Sequence, residues 1–435
     1  MIAPVGHRGR RLGLRVGLAV GLLAPAVHAD NWWLAFGHDG LTTAIEQGLN
    51  EHPDPIGALA RIRAAATMAE TERSERRPMA MAEAAYRFGR EKSDMTDGMT
   101  DDLDPLMASA RLSWEIDLFG RVGAAVQAAE AETAMRVADA EAIRLALSLE
   151  IARAYVEIAQ RTEEIAWFDR TIEDAHALRD RTARRVQAGL DDPADLRRAE
   201  AEAQLMDHER MMTEAMRDKA TAMLHRLLGG QPPAVPPESL AGFTLPPVPD
   251  LTRTNLYLNR PDIVAAYHAW QAAAGRSGSV ARDRLPSLAL VASAAGEGDA
   301  STDPERWEAW AGPMLTVPLW EPRRGSRARG AAAETDEAAA RFESASLLAM
   351  EEIDAARTDR ERTEAMIQHM QQREDLRAAE EESSARKRAA GLIQESDWRM
   401  ARMERAAAAR DRSLWVATGL RHHLTLVGAL GGHAP

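Results

Sequence analysis

The chain repeats itself, and the repeated unit contains a helix too long for a compact domain. At an offset of 208, Pro53-Asp54 falls on Pro261-Asp262 and Pro78 falls on Pro286. At an offset of 202, Ala188-Gly189-Leu190 falls on Ala390-Gly391-Leu392, and Leu228-Gly229-Gly230 falls on Leu430-Gly431-Gly432. The landmarks keep their order through both halves, as a duplicated structural unit requires. Helix breakers outline the unit twice: residues 124–188 and 194–228 contain neither Gly nor Pro, and the corresponding stretches 331–390 and 392–427 contain only Gly419. Each half therefore predicts a very long helix, a sharp turn and a shorter returning helix. At 1.5 Å per residue, a helix of 60–65 residues reaches roughly 90–100 Å.

Ile151, Ile158 and Ile165 recur at seven-residue steps with Leu147 and Ala154 between them, which predicts a coiled-coil-like seam. Aromatics are only 5% of the chain, and the rest of the long stretches is Ala with interspersed Glu and Arg. That composition suits long helices with charged, wet faces better than a compact aromatic core. A soluble coiled-coil spacer would look the same over these stretches.

The segments ahead of each long helix differ in character. In the first half, 78–90 and 107–119 flank 91–105, which is rich in Asp, Gly, Ser and Thr; in the second, 286–295 and 307–320 flank 296–304. Leu315, Val317 and Leu319 alternate with Thr316 and Pro318, and Leu288 and Leu290 alternate on the opposing run. Each flank has the roughly 10–14 residues a tilted strand needs to cross a bilayer, and the acidic segments between them then read as extracellular loops. Two ordinary hairpins packed on helices fit the pattern as well. Four strands cannot close a conducting barrel, and open edges are not tolerated in lipid. Membrane insertion would thus demand an oligomer, and three copies would supply twelve strands.

The N-terminus reads as a cleaved secretory signal over 1–29. Arg8, Arg10, Arg11 and Arg15 precede the apolar run 16–27, followed by Val27-His28-Ala29 with small residues at the cleavage positions. An uncleaved anchor or a buried helix is the alternative. The formal charge is −13, and about −17 without the signal, which excludes a broad nucleic-acid interface. There is no cysteine, so disulfides, thiolate chemistry and lipid attachment through cysteine are excluded, and the mature chain is expected to be unlipidated.

Against this background Ser113-Trp114-Glu115-Ile116-Asp117-Leu118-Phe119-Gly120-Arg121 resembles the strand-to-helix junction of the outer-membrane efflux proteins, the TolC/OprM-like family. Leu315-Thr316-Val317-Pro318-Leu319-Trp320 resembles the family's second junction, and Arg260-Pro261-Asp262-Ile263 the opening of its second repeat. The resemblance covers essentially the whole mature chain. It departs from the pattern at Trp320-Glu321-Pro322, where a Gly-rich turn is common, and the strands are poor in aromatics and rich in Ala and Met.

The resemblance implies a mainly α fold with a membrane β-barrel portion: a duplicated chain with two β-hairpins and long coiled-coil helices. It also implies a trimer with a twelve-stranded barrel and a periplasmic α-barrel. The expected organisation is a first repeat over 30–247 (helix, hairpin about 78–119, long helix about 120–188, returning helix about 194–228). A second repeat follows over 248–435 (helix, hairpin about 286–320, long helix about 328–390, returning helix about 392–428). The implied role is a passive exit duct in the outer membrane of a Gram-negative bacterium, serving a tripartite pump or type I secretion system. Its implied partners are outer-membrane lipid, a periplasmic adaptor and an inner-membrane transporter. The implied junction residues are Trp114, Asp117, Phe119, Gly120, Pro318 and Trp320.

Arg185, Gly189 and Leu190, with Arg388, Gly391 and Leu392, resemble the family's tip motif, and adaptor docking is the role it implies. A plain helix–helix turn explains the glycines equally. Asp191, Asp192, Glu395 and Asp397 near the same turns are candidates for a carboxylate ring at the periplasmic aperture, or caps and first-turn acids of the returning helices.

No phosphate-binding Gly-rich loop, H-E-x-x-H or G-x-S-x-G pattern occurs, and no cofactor or metal is expected. His422-His423, the one adjacent histidine pair, points about 100° apart on a helix and makes a poor chelate. The chain reads as a non-enzyme. Two readings compete, an exit duct and a periplasmic coiled-coil scaffold without a channel.

Overall fold

The computed structural model describes residues 31–86, 89–92, 100–103, 105–247, 260–299 and 306–432. The expected signal segment and parts of both hairpin loops lie outside them. A 3-10 turn at Trp32–Phe36 leads into α1 (Asp39–Glu51) and α2 (Pro53–Ser74). The strands β1 (Met79–Tyr86), β2 (Gly89–Lys92), β3 (Thr100–Leu103) and β4 (Pro105–Ile116) follow, then α3 (Arg121–Gln187) and α4 (Pro193–Leu227). The second half has α5 (Pro261–Arg282), β5 (Ser287–Asp299), β6 (Arg306–Thr316), α6 (Pro322–Ala389) and α7 (Glu395–Ala429).

The duplication is visible in the backbone. Gly189 and Gly391 have φ of 70° and 73°, Gly229 and Gly431 of 72° and 75°, and Gly230 and Gly432 of 92° and 82°. At the first pair the helix ends in a Schellman motif: Leu190 N–H donates to the Arg185 carbonyl and Leu392 N–H to the Lys387 carbonyl, each at 2.9 Å. A left-handed residue is required there, so glycine ends each long helix at the same point. Pro193 and Pro322 sit in the first turns of α4 and α6, where the missing N–H has no helical partner to lose.

One antiparallel sheet runs β1-β4-β5-β6, and β2-β3 extends the first hairpin without a change of register. The helices follow the same order. α2 leads into β1, β4 into α3, α5 into β5 and β6 into α6, and α2, α3, α5 and α6 pack as successive neighbours. Farther along α3 the neighbours become α4, α3, α7 and α6. Sheet and helices form one continuous layer whose two margins stay the same along its length: β1, α2 and α4 on one, β6 and α6 on the other.

Between the two ends lies the main apolar core. Trp32, Phe36, Leu41 and Ile45 pack with Leu224 and Leu227 of α4 and with Leu420 and Leu424 of α7. Leu147, Ile151, Ala154 and Ile158 of α3 point into it, so the heptad stripe packs on several elements rather than on one partner helix. The strap 228–247 crosses this level, with Tyr155 Oη donating to the Val235 carbonyl and Glu163 accepting from Ser239 Oγ and Leu240 N.

Candidate functional site

At the far end of α3, Arg185 reaches across the turn to Asp191. Its Nε and Nη2 each donate to a carboxylate oxygen at 2.8 Å. This hydrogen bonding holds the Asp191 carboxyl below its ordinary range and Arg185 above its own. Asp192 caps α4, accepting from Ala194 N at 2.7 Å. In the second turn Arg388 donates to both Glu395 oxygens at 3.0 and 3.3 Å, and its guanidinium lies 3.9 Å above the Trp398 ring. Asp397 closes a capping box with Gln394. Each of the four aperture candidates therefore has a local partner. Arg181 donates to Gln394 and joins the two turns, while Leu190 and Leu392 are exposed and open space surrounds Gly189 and Gly391.

At the other end of α3, Asp117 accepts from Val122 N at 3.1 Å and Gly123 N at 2.6 Å, capping the helix from three residues before Gly120. Gly120 supplies the φ of 76° that turns the strand into the helix. Arg121 pairs twice with Glu115, and Trp114 Nε1 donates to the Arg76 carbonyl at 2.8 Å. Phe119, Leu319 and Trp320 are exposed, and Pro318 is half-buried over a cleft shared with Asp117, Arg282 and Arg324.

The strand register sorts the sheet into two faces, because directly opposed residues share a face. Met81, Arg111, Ser293 and Trp310 form one row, and Glu83, Ser109, Ala295 and Glu308 the next row on the same side. All six charged side chains described in these four strands (Glu83, Arg111, Glu115, Glu297, Arg306 and Glu308) lie on that face. The other face carries none. It is made largely of Ala, Leu and Gly, with Trp114 toward the helical end and Tyr86 and Trp307 toward the loop end. These two aromatic rows are separated by about 20–27 Å along the strand.

Residues 44–230 match the model of the outer membrane efflux protein family. Over this stretch, a little under half of its length, the chain is similar to the outer membrane efflux proteins. It is 27% identical over 323 residues to the fusaric acid resistance protein FusA of Burkholderia cepacia, covering 70% of this chain. It spans 60% of that relative's length. The outer-membrane channel OprN superposes with a TM-score of 0.78 at 21% identity, covering 99% of each chain. The CmeC outer membrane channel of Campylobacter jejuni gives 0.81 at 18% identity, over 99% of this chain and 94% of that one. At these identities the structural matches establish the fold, which is that of the outer-membrane channels.

Within this fold, the most buried ionic site among the described residues escaped the sequence reading. Asp174 of α3 is 2% exposed, with Arg399 and Arg402 of α7 each 2.6 Å from one of its oxygens. Glu164 with Arg410 and Glu157 with Arg421 continue the ladder along the same two helices. Its acids and arginines lie more than 200 residues apart, so no local spacing signals them. Arg360 of α6 is also buried, donating to the Pro246 carbonyl at 3.0 Å and to Glu364 at 3.2 Å, and it faces the buried His423.

Proposed function

We propose that the chain is the passive exit duct of a tripartite efflux pump or type I secretion system, carrying small molecules across the outer membrane as a homotrimer. The observation that carries this reading is the coincidence of open margins with segregated faces. The sheet leaves the outer edges of β1 and β6 without a partner strand among the described residues, and the helical layer stops at α2 and α4 on one side and α6 on the other, in line with those strands. A second copy can continue strand and helix layers together, and three copies give twelve strands, enough to enclose a channel. The charge-bearing face then lines the lumen, and the apolar face with its two aromatic rows meets lipid.

Among the described residues no helix is long and apolar enough to cross a membrane, and a strand barrel needs none. The tips, with Arg185, Gly189, Leu190, Arg388, Gly391 and Leu392, are the part farthest from the sheet. They are the proposed docking end for a periplasmic adaptor, which links the duct to an inner-membrane transporter that supplies the energy. Asp191, Asp192, Glu395 and Asp397 ring the same end as aperture residues. Signal cleavage without lipidation is part of the same proposal, and the similarity to a fusaric acid resistance protein supports a small-molecule cargo.

The competing reading is a periplasmic coiled-coil scaffold. The purified oligomer added to a planar lipid bilayer separates the two: a duct produces discrete conductance steps, and their absence would favour the scaffold.

A further inference from the structure

The level where strands become helices carries a charge opposite to that of the chain. The segments 73–78, 117–121, 282–287 and 317–329 meet there and hold ten arginines against four acids, in a chain whose net charge is −13. Four of the arginines are engaged. Arg73 pairs with Glu130, Arg121 with Glu115 and Arg324 with Glu321, and Arg282 donates to the Gly278 carbonyl. The other six are exposed in the single chain and make no ion pair among the described residues: Arg284 and Arg329 make one long hydrogen bond each, to the Ala281 carbonyl and to Ser326 Oγ, and Arg76, Arg77, Arg323 and Arg327 are free.

Beside these cations stand open apolar side chains of the junctions, among them Leu319 at 92% exposed, Trp320 at 87%, Leu118 and Phe119. Unpaired arginines do not belong in hydrocarbon, and open Leu and Trp side chains are poorly placed in water. Both suit a headgroup layer, where indole and guanidinium groups sit at the polar boundary and the apolar parts reach below it. Arginine also matches phosphate oxygens with a two-pronged geometry.

We propose that this level is a lipid collar. It binds the anionic phospholipids of the leaflet at the helical end of the sheet, with the free arginines on headgroup phosphates and Leu118, Phe119, Leu319 and Trp320 among the upper acyl segments. The proposal rests on the membrane reading of the sheet. It adds a lipid class and a set of residues to that reading, and it accounts for a positive belt on an acidic protein.

The test uses the full chain purified in mild non-ionic detergent and titrated with phosphatidylglycerol or phosphatidylcholine, with bound lipid counted by native mass spectrometry. The collar predicts that phosphatidylglycerol is retained roughly tenfold more tightly, and that the preference shrinks as salt rises from about 50 mM to about 500 mM. A variant combining Arg76→Ser, Arg77→Ser, Arg323→Ser and Arg327→Ser loses most of the preference. Equal retention of the two lipids by the unmodified protein overturns the collar, whatever the variant does, and so does a preference insensitive to salt. Fractionation of the same preparation judges the membrane reading separately. A chain found in the outer membrane that shows no lipid preference loses the collar and keeps the duct.

Discussion

Asp174 and Arg399 meet 2.6 Å apart across the α3–α7 seam, about 13 residues above the tip, with Arg402 on the other carboxylate oxygen at the same distance. Removing the acid leaves two guanidinium groups facing each other over a buried gap. Breaking a buried pair from one side costs about 3–5 kcal/mol, and the partial exposure of both arginines brings this nearer 2–3 kcal/mol. Asp174→Ala is therefore expected to lower the melting temperature in detergent by several degrees. Asp180→Ala, which removes an exposed partner of Arg179, should shift it by less than about one degree. Equal effects of the two substitutions would contradict the account of the seam.

Gly189 and Gly431 share a left-handed backbone and differ in surroundings. Open space surrounds Gly189, whereas a Cβ on Gly431 would lie 2.8 Å from the Arg260 Cα. Gly189→Ala should cost about 1 kcal/mol, from the backbone alone. Gly431→Ala adds overpacking against main chain and should cost roughly 3 kcal/mol. Chemical or thermal unfolding of the two variants gives the comparison directly.

Burial beside Arg360 pushes the His423 imidazole down to about 4 from an ordinary 6.5, burial being the larger cause. The folded state therefore binds this proton more weakly than the unfolded chain does. Stability from this group is complete above pH 6.5 and is lost as the pH falls toward 4, to the extent of about 3 kcal/mol. The stability of the natural chain relative to His423→Leu should fall as pH drops from 7 to about 4.5. A difference that does not change with pH would rule out a buried neutral imidazole.

The chain has no cysteine, so single-cysteine variants report one position each. In outer-membrane vesicles a water-soluble maleimide should label Ser109→Cys and Arg111→Cys and spare Ala110→Cys and Leu112→Cys, following the two faces of β4. Labelling without alternation would contradict the assignment of lumen and lipid faces.

Much of the architecture was legible because its signals are local. Missing Gly and Pro marked the long helices, and Gly189 and Gly391 marked their ends through a backbone conformation that favours glycine. The cap from Asp117 and the turn at Gly120 sit within one short motif for the same reason. What stayed hidden depends on register or on contacts between the halves. The aromatic rows emerge only when Tyr86, Trp114 and Trp307, from three strands, are aligned across the sheet. The tip arginines carried a motif but no hint that Arg185 is bound to Asp191, or Arg388 to Glu395 and Trp398. The ladder at Asp174 joins residues of the two repeats, and the collar depends on which arginines lack an acid partner.

The central claim is that the open margins close by threefold association in a membrane. The full-length chain expressed in a Gram-negative host, extracted from the outer-membrane fraction in mild detergent, has a mass that decides it. The account predicts three times the mass of the signal-cleaved chain, recovered only with detergent. A soluble periplasmic monomer or dimer would contradict it.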